Sequence, residues 1–269
     1  MKDTIEIKNL TYKSDNNIIF KDLNMSFKYN DTIGVVGNNK SGKTTLVKLL
    51  GGLLPNNNSI TYGYSYLNSD RFNDHSKDIG IVFGNNFNMF LFDSVYKEMA
   101  FPLENLSMYP KQIESKILEL AKFFGISDLL DLRISDLTNC EKQILEIVIS
   151  LLHDPKVLLL DNPFSMMDNK TKNIIKNKLI KYKKNHNLTL IIFTSDLSDI
   201  YDCDYLYIIH KGNVVLEGLV KDVLLEDTII DRVGLNMPLI VDLSLKLKYY
   251  GLIDDISFDL ESMVNNIWK

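Results

Sequence analysis

The sequence predicts an α/β fold, a mostly parallel β-sheet with helices on both faces, wrapped around a phosphate-binding loop. Two observations predict it. First, Gly37-Asn38-Asn39-Lys40-Ser41-Gly42-Lys43-Thr44-Thr45 fits the P-loop pattern G-x-x-x-x-G-K-[ST]. It stands between a β-branched run, Asp31 to Val36, and an unbroken stretch, Thr45 to Leu50, that stops at Gly51-Gly52. Second, short apolar runs alternate downstream with amphipathic stretches, as strand–helix–strand crossovers do. A chance match in a glycine-bearing turn is the alternative. Against it, strand, loop and helix start together place backbone N–H groups and a positive helix end around one anion. Lys43 is expected to reach the β- and γ-phosphates as a point charge, and the Thr44 hydroxyl to sit on Mg²⁺.

The elements follow in order. Ile5 to Leu10 alternates with period two and reads as a half-exposed strand. A turn at Asp15-Asn16-Asn17 and a second strand pattern through Leu23 to Phe27 complete an antiparallel start. Beyond the P-loop helix, Pro55 to Ser59 is a loop, and Ser59 to Leu67, broken by Gly63, reads as a strand or hairpin. Ile79 to Phe83 is a buried strand. A helical region follows to about Phe124, with Asp93-Ser94 as an N-cap and Pro110 opening a further helix. Ser135 to Leu152 ends in a long helix, and Val157 to Asp161 is a buried strand ending on an acid. Asp168 to Lys184 is a lysine-rich amphipathic helix with a solvated outer face. Leu188 to Phe193 and Tyr205 to His210 are strands, the second forming a hairpin with Val214 to Leu216 across Lys211-Gly212-Asn213. From about Asp222 the tail is helical, with turns at Gly234, Pro238 and Gly251.

Composition bounds the function. The 269 residues carry 30 basic and 35 acidic side chains, a mild negative excess that argues against a dedicated nucleic-acid binder. Cys140 and Cys203 are the two cysteines, without metal-like spacing, so reduced thiols and a cytosolic setting are expected. Met1-Lys2-Asp3-Thr4 leads directly into a strand pattern with no signal peptide. No stretch approaches the roughly 18–20 apolar residues of a membrane helix, so a membrane role is expected to run through a partner.

The order of these pieces resembles the ATPase subunit of ATP-binding cassette (ABC) transporters, in particular the ATPases of energy-coupling factor (ECF) vitamin and metal importers. Leu137-Thr138-Asn139-Cys140-Glu141 stands where that family carries its L-S-G-G-Q signature. Asp154 to Pro163 resembles P-x-x-L-L-L-D-E-P, and Ser165-Met166-Met167-Asp168 resembles the S-A-L-D of the D-loop. Phe92 to Asn105 and the tail around Gly234 to Pro238 are similar to further ECF segments. The resemblance implies an ABC-type nucleotide-binding domain over 1–220, with an antiparallel β subdomain and a helical subdomain at about 85–153. It implies a helical extension at 221–269 that helps dimerise the subunits.

The family sandwiches two ATP molecules between two subunits, the P-loop and Walker B of one facing the signature of the other. Carried over, the resemblance implies ATP and Mg²⁺ as cofactors, with Asp161 and Thr44 on the metal. A simple capping acid is the alternative for Asp161. The family's catalytic positions are substituted here. Its glutamate after Asp161 is Asn162, its histidine after the following strand is Ser195, and its glutamine-loop residue is Gly84. An amide cannot accept the proton that a general base takes. The paired glycines of the signature are Asn139 and Cys140, and Cys140 reads equally well as a small buried hydrophobe. The adenine-stacking position falls on Ser14, with Tyr12 two residues earlier on the same face.

The expectation is a subunit that binds Mg·ATP and hydrolyses it slowly or not at all. It would be the weak half of a heterodimer with a second ABC ATPase, on the cytoplasmic face of the membrane. Its other partners would be an integral coupling protein, docking beside Phe83 to Phe101, and a substrate-binding membrane subunit. A soluble regulatory or structural pseudo-ATPase is the competing expectation.

Overall fold

The computed structural model describes residues 4–14, 17–56, 59–63, 65–66, 78–84 and 90–268. The chain opens with strands β1 (Thr4–Ser14), β2 (Asn17–Lys28) and β3 (Thr32–Val36), then helix α1 (Lys43–Leu50). Next come β4 (Ile60–Tyr62), β5 (Ser65–Tyr66), β6 (Ile79–Phe83), α2 (Val95–Asn105), α3 (Pro110–Phe124) and α4 (Asn139–Leu151). Then follow β7 (Val157–Asp161), α5 (Asn169–His186), β8 (Thr189–Thr194), β9 (Tyr205–His210) and β10 (Asn213–Leu219). Four short helices end the chain: α6 (Val220–Leu224), α7 (Asp227–Arg232), α8 (Leu239–Tyr249) and α9 (Leu260–Ile267).

Two sheets form. The larger has six strands in the order β10-β9-β3-β8-β7-β6, parallel except for the β9–β10 hairpin. The smaller is antiparallel, β2-β1-β4-β5. The expected mixed architecture is therefore present. Parts of the expected turn at Asp15-Asn16-Asn17, of the loop Pro55 to Ser59, of the strand or hairpin Ser59 to Leu67 and of the helical region after Phe83 (residues 15–16, 57–58, 64, 67 and 85–89) lie outside the described residues.

β3, β7 and β8 are buried along their whole length, which is why they read as continuous apolar runs rather than as alternations. Their side chains feed two cores on opposite faces. On one, Val35, Leu159, Ile191 and Phe193 meet Leu46, Val47 and Leu50 of α1 and the small sheet. On the other, Leu158, Leu160, Leu190 and Ile192 meet α2 to α5. Each such side chain contributes about 1.5–3 kcal/mol by leaving water. α5 turns Ile175, Leu179 and Tyr182 inward, and Asp168 caps its first turn. Its last turn carries Lys183, Lys184 and His186 against the negative helix end. The expected solvated lysine face is only partly so: Lys176 is buried and paired with Asp202 at 2.8 Å, and Lys172 and Lys183 are paired with Asp199 and Asp204.

A third apolar cluster joins the sheet to the tail. Val36, Leu206 and Ile208 pack with Val220, Ile230, Val233, Leu235, Val241 and Ile256. The residues after Leu219 thus cover the flank of β3 and β9.

Candidate nucleotide-binding site

The site sits where β3 ends, in the interior of the large sheet and next to β8 and β9. Gly37 N–H donates to the Thr194 carbonyl at 3.2 Å, which fixes the loop's start to the end of β8. The loop turns through left-handed backbone at Lys40 (φ 66°) and Gly42 (φ 106°) and runs into α1. Asn39 and Lys40 are exposed and Thr45 is half-buried. Lys43 is only 6 % exposed, its Nζ donating to the carbonyls of Gly37 at 2.5 Å and Asn38 at 3.0 Å. Burial holds its ammonium below the usual lysine range, with Asp161 opposing. The Ser41 hydroxyl is buried with no hydrogen-bond partner among the described residues. An orphaned hydroxyl and an ammonium folded back on loop carbonyls fit a cradle that gains partners when an anion enters.

Asp161 stands at the end of β7, beside β8, and is only 5 % exposed. Its Oδ2 accepts from Thr44 Oγ1 at 2.5 Å and its Oδ1 from Asn162 Nδ2 at 2.8 Å. Burial pushes its carboxyl up, opposed chiefly by the Thr44 hydroxyl and Lys43. One carboxylate beside one hydroxyl suits Mg²⁺, which takes few protein ligands and completes its shell with water and phosphate oxygens. Among the described residues no group of three or more His, Cys, Asp or Glu could hold a metal. The expected pair, Thr44 and Asp161, is thus brought together.

Asn162 has left-handed backbone (φ 49°) and spends its amide N–H on Asp161. It stands beside the Thr44–Asp161 pair as a donor. Ser195 is exposed, directly after Thr194. Gly84 N–H donates to the Asp161 carbonyl at 2.7 Å, and a Cβ there would lie 2.3 Å from the Asn162 carbonyl oxygen and 2.6 Å from that of Asp161. No side chain fits at residue 84 on this backbone. Tyr12 is half-buried against the α1-side core and pairs with Phe20 in the sheet, while half-buried Ser14 pairs with Asn17.

The signature stretch belongs to the helical layer. Leu137 is buried, Thr138 caps α4, and Glu141 closes a capping box. Glu141 Oε2 accepts from Thr138 N–H at 2.8 Å and Thr138 Oγ1 accepts from Glu141 N–H at 3.2 Å, so the box engages two of the stretch's backbone donors. Asn139 is exposed. Cys140 is half-buried, and burial followed by Asp168 and Glu141 pushes its thiol up, away from thiolate. Ser165 Oγ donates to the Asn162 carbonyl at 3.1 Å; Asp168 accepts from Thr171 N–H at 2.7 Å as the cap of α5.

Three supports went unread in the sequence. Gln143 of α4 donates to the Asn162 carbonyl at 3.2 Å and accepts from Met166 N–H at 3.0 Å, lacing the signature helix to the stretch after β7. Gly212, at the tip of the β9–β10 hairpin, donates its N–H to the Ser41 carbonyl at 3.2 Å. Glu146 of α4 accepts from Phe83 N–H at 2.8 Å, just ahead of Gly84. A glutamine or glutamate interrupting the apolar face of an amphipathic helix was the available signal.

A phosphate loop leaving the interior of a parallel sheet, with a carboxylate-ended strand close by, defines a P-loop nucleotide-binding domain. The ABC transporter family model matches residues 20–165. The energy-coupling factor transporter ATP-binding protein EcfA1 of Staphylococcus aureus strain N315 is 30% identical over 262 residues, spanning 94% of this chain and 97% of that protein. Among solved structures, CbiO1 of Clostridium perfringens, described as part of the ABC transporter complex CbiONQ, is similar with a TM-score of 0.77 and 29% identity. That match covers 89% of this chain and 97% of that one. A dimeric ATP-binding cassette bound to ADP and phosphate shares the fold, with a TM-score of 0.73 and 23% identity over 80% of this chain and 98% of that chain. The chain belongs to the ABC transporter ATPases, among relatives that are energy-coupling factor ATP-binding proteins.

Proposed function

We propose that this chain is the ATP-binding subunit of an energy-coupling factor type importer, binding Mg·ATP and coupling dimer closure to transport with impaired hydrolysis of its own. One contrast carries the reading. Lys43, Thr44 and Asp161 are assembled, whereas Asn162, Ser195 and Gly84 supply neither a base nor an imidazole. Groups that grip the ground state remain and groups that act on the attacking water are replaced, so binding survives and turnover falls. Bound Mg²⁺ would be held by Thr44 and Asp161 and would supply positive charge to the phosphates. Lys43 would turn from the loop carbonyls to the phosphates.

Work then needs company. Substitutions on both the loop side and the signature side favour a heterodimer, since two copies would carry both changes at both sites. Asn139 and Cys140 N–H groups, with Thr138 and Glu141 engaged in the box, are what this chain offers across such an interface. Leu91, Phe92 and Tyr96 expose apolar surface where α2 begins, and Phe92 meets Phe101 at 5.3 Å between ring centroids. That surface suits a membrane coupling protein on the cytoplasmic face. No helix among the described residues is long and apolar enough to cross a membrane.

The test compares phosphate release and binding of a non-hydrolysable ATP analogue with Mg²⁺ for the wild type and for Asn162→Glu. Tight binding with slow release, raised in the variant towards the ~10²–10⁴-fold worth of a general base, is expected. Brisk release by the wild type overturns the reading. Fractionation separates the alternatives: co-purification with integral membrane proteins supports transport, and a purely soluble complex supports a regulatory pseudo-ATPase.

A further inference from the structure

Asn38, the second residue of the phosphate loop, spends its side chain on the tail of the chain. Its Nδ2 donates to the Val233 backbone carbonyl at 2.5 Å, while its own carbonyl accepts from Lys43 Nζ at 3.0 Å. The two bonds link tail, loop and lysine in sequence.

The tail is built to present that carbonyl. After α7 the chain closes with Gly234 N–H on the Asp231 carbonyl at 2.9 Å and Leu235 N–H on the Ile230 carbonyl at 3.1 Å, a glycine-terminated helix end. These closures use the carbonyls of Ile230 and Asp231 and leave that of Val233 to Asn38. Gly234 has φ 74°, and a Cβ there would lie 2.9 Å from Asn38 Nδ2. Backbone of the tail therefore passes directly against the loop. Packing seats the contact: Val36, the residue before Gly37, is fully buried in one cluster with Ile230, Val233 and Leu235.

We propose that the C-terminal extension grips the phosphate loop through the Asn38–Val233 hydrogen bond, making Asn38 a positioning residue that couples nucleotide binding to the extension. A tail held in place presets the loop and, through the Asn38 carbonyl, the resting place of Lys43. A tail displaced by a partner frees the loop. Coupling of this kind is reciprocal, so nucleotide must also steady the tail. The inference rests on the nucleotide-binding reading above.

Hydrogen exchange by mass spectrometry on the full chain tests it, with and without Mg²⁺ and a non-hydrolysable ATP analogue. In the wild type the analogue is expected to slow exchange over 37–45 and also over 229–236. In Asn38→Ala at saturating analogue, the analogue-dependent protection of 229–236 is expected to disappear, which a merely structural role would not produce. In Gly234→Ala, whose added Cβ meets Asn38 Nδ2 from the tail side, affinity for the analogue is expected to fall about 5-fold or more. That titration decides the matter if Asn38→Ala does not fold. Equal protection of 229–236 in wild type and Asn38→Ala, or unchanged affinity in Gly234→Ala, overturns the coupling. No protection of 37–45 in the wild type overturns the nucleotide reading itself, and the coupling with it.

Discussion

Replacing Glu146 by Gln tests the electrostatics of the joint between α4 and β6. Glu146 Oε1 accepts from Phe83 N–H at 2.8 Å, and Oε2 is buried with no partner among the described residues. Burial pushes the carboxyl from 4.5 up to about 7, against the opposing Phe83 amide. A folded-state value above the unfolded one means that the folded chain holds the proton more tightly between pH 4.5 and about 7. Stability contributed here is therefore present at low pH and lost as pH rises through that window. At about 1.36 kcal/mol per unit, the displacement amounts to about 3 kcal/mol. Glu146→Gln keeps a carbonyl for Phe83 N–H and has nothing to ionise. Its gain over the wild type is expected to be about 3 kcal/mol at pH 8 and under about 1 kcal/mol at pH 5. Urea denaturation at the two pH values measures it. A gain that does not change with pH, or a loss at both, refutes the account.

Lys43→Met is expected to weaken binding of the Mg²⁺ analogue complex at least about 100-fold by calorimetry, while the fold, judged by circular dichroism, persists. Gly84→Gln, which places a glutamine where the resemblance puts the family's glutamine loop, is expected to destabilise by about 1–3 kcal/mol in thermal denaturation without raising phosphate release, because its Cβ meets the backbone of Asp161 and Asn162. Asp199→Ala removes one acceptor of Lys172 Nζ, at 2.7 Å, and that of Thr194 Oγ1, at 2.7 Å, leaving Lys172 with Ser198 at 2.9 Å and Asp196 at 3.4 Å. A loss of about 1–3 kcal/mol is expected in urea denaturation, and Lys172→Met in the same background should recover part of it.

The phosphate cradle was legible because its pieces are contiguous. Gly37 to Thr45 carries the loop, the buried lysine and the hydroxyl that meets Asp161 in one stretch, and Asp161 ends a run apolar enough to be read as a buried strand. What crosses between elements was not legible. Nothing local to Asn38 points to Val233, some two hundred residues later, because the bond depends on where the third core seats the tail. Nor did the letter Gly84 disclose that β6 and β7 approach too closely for any side chain. Read as a lost glutamine, it is equally a packing requirement. Thr138 and Glu141 were legible as a signature position, while their pairing as a capping box is a plain helix-start pattern that the family reading obscured.

The third cluster has a consequence for trimming the molecule. A fragment cut after Leu219 would uncover Val36, Leu206 and Ile208, wetting the side of the strand that launches the phosphate loop. Shortened versions are therefore expected to fail first at the loop's footing, with the rest of the sheet still paired. A tag or fusion is better carried beyond Trp268, which is 83 % exposed and outside all three cores.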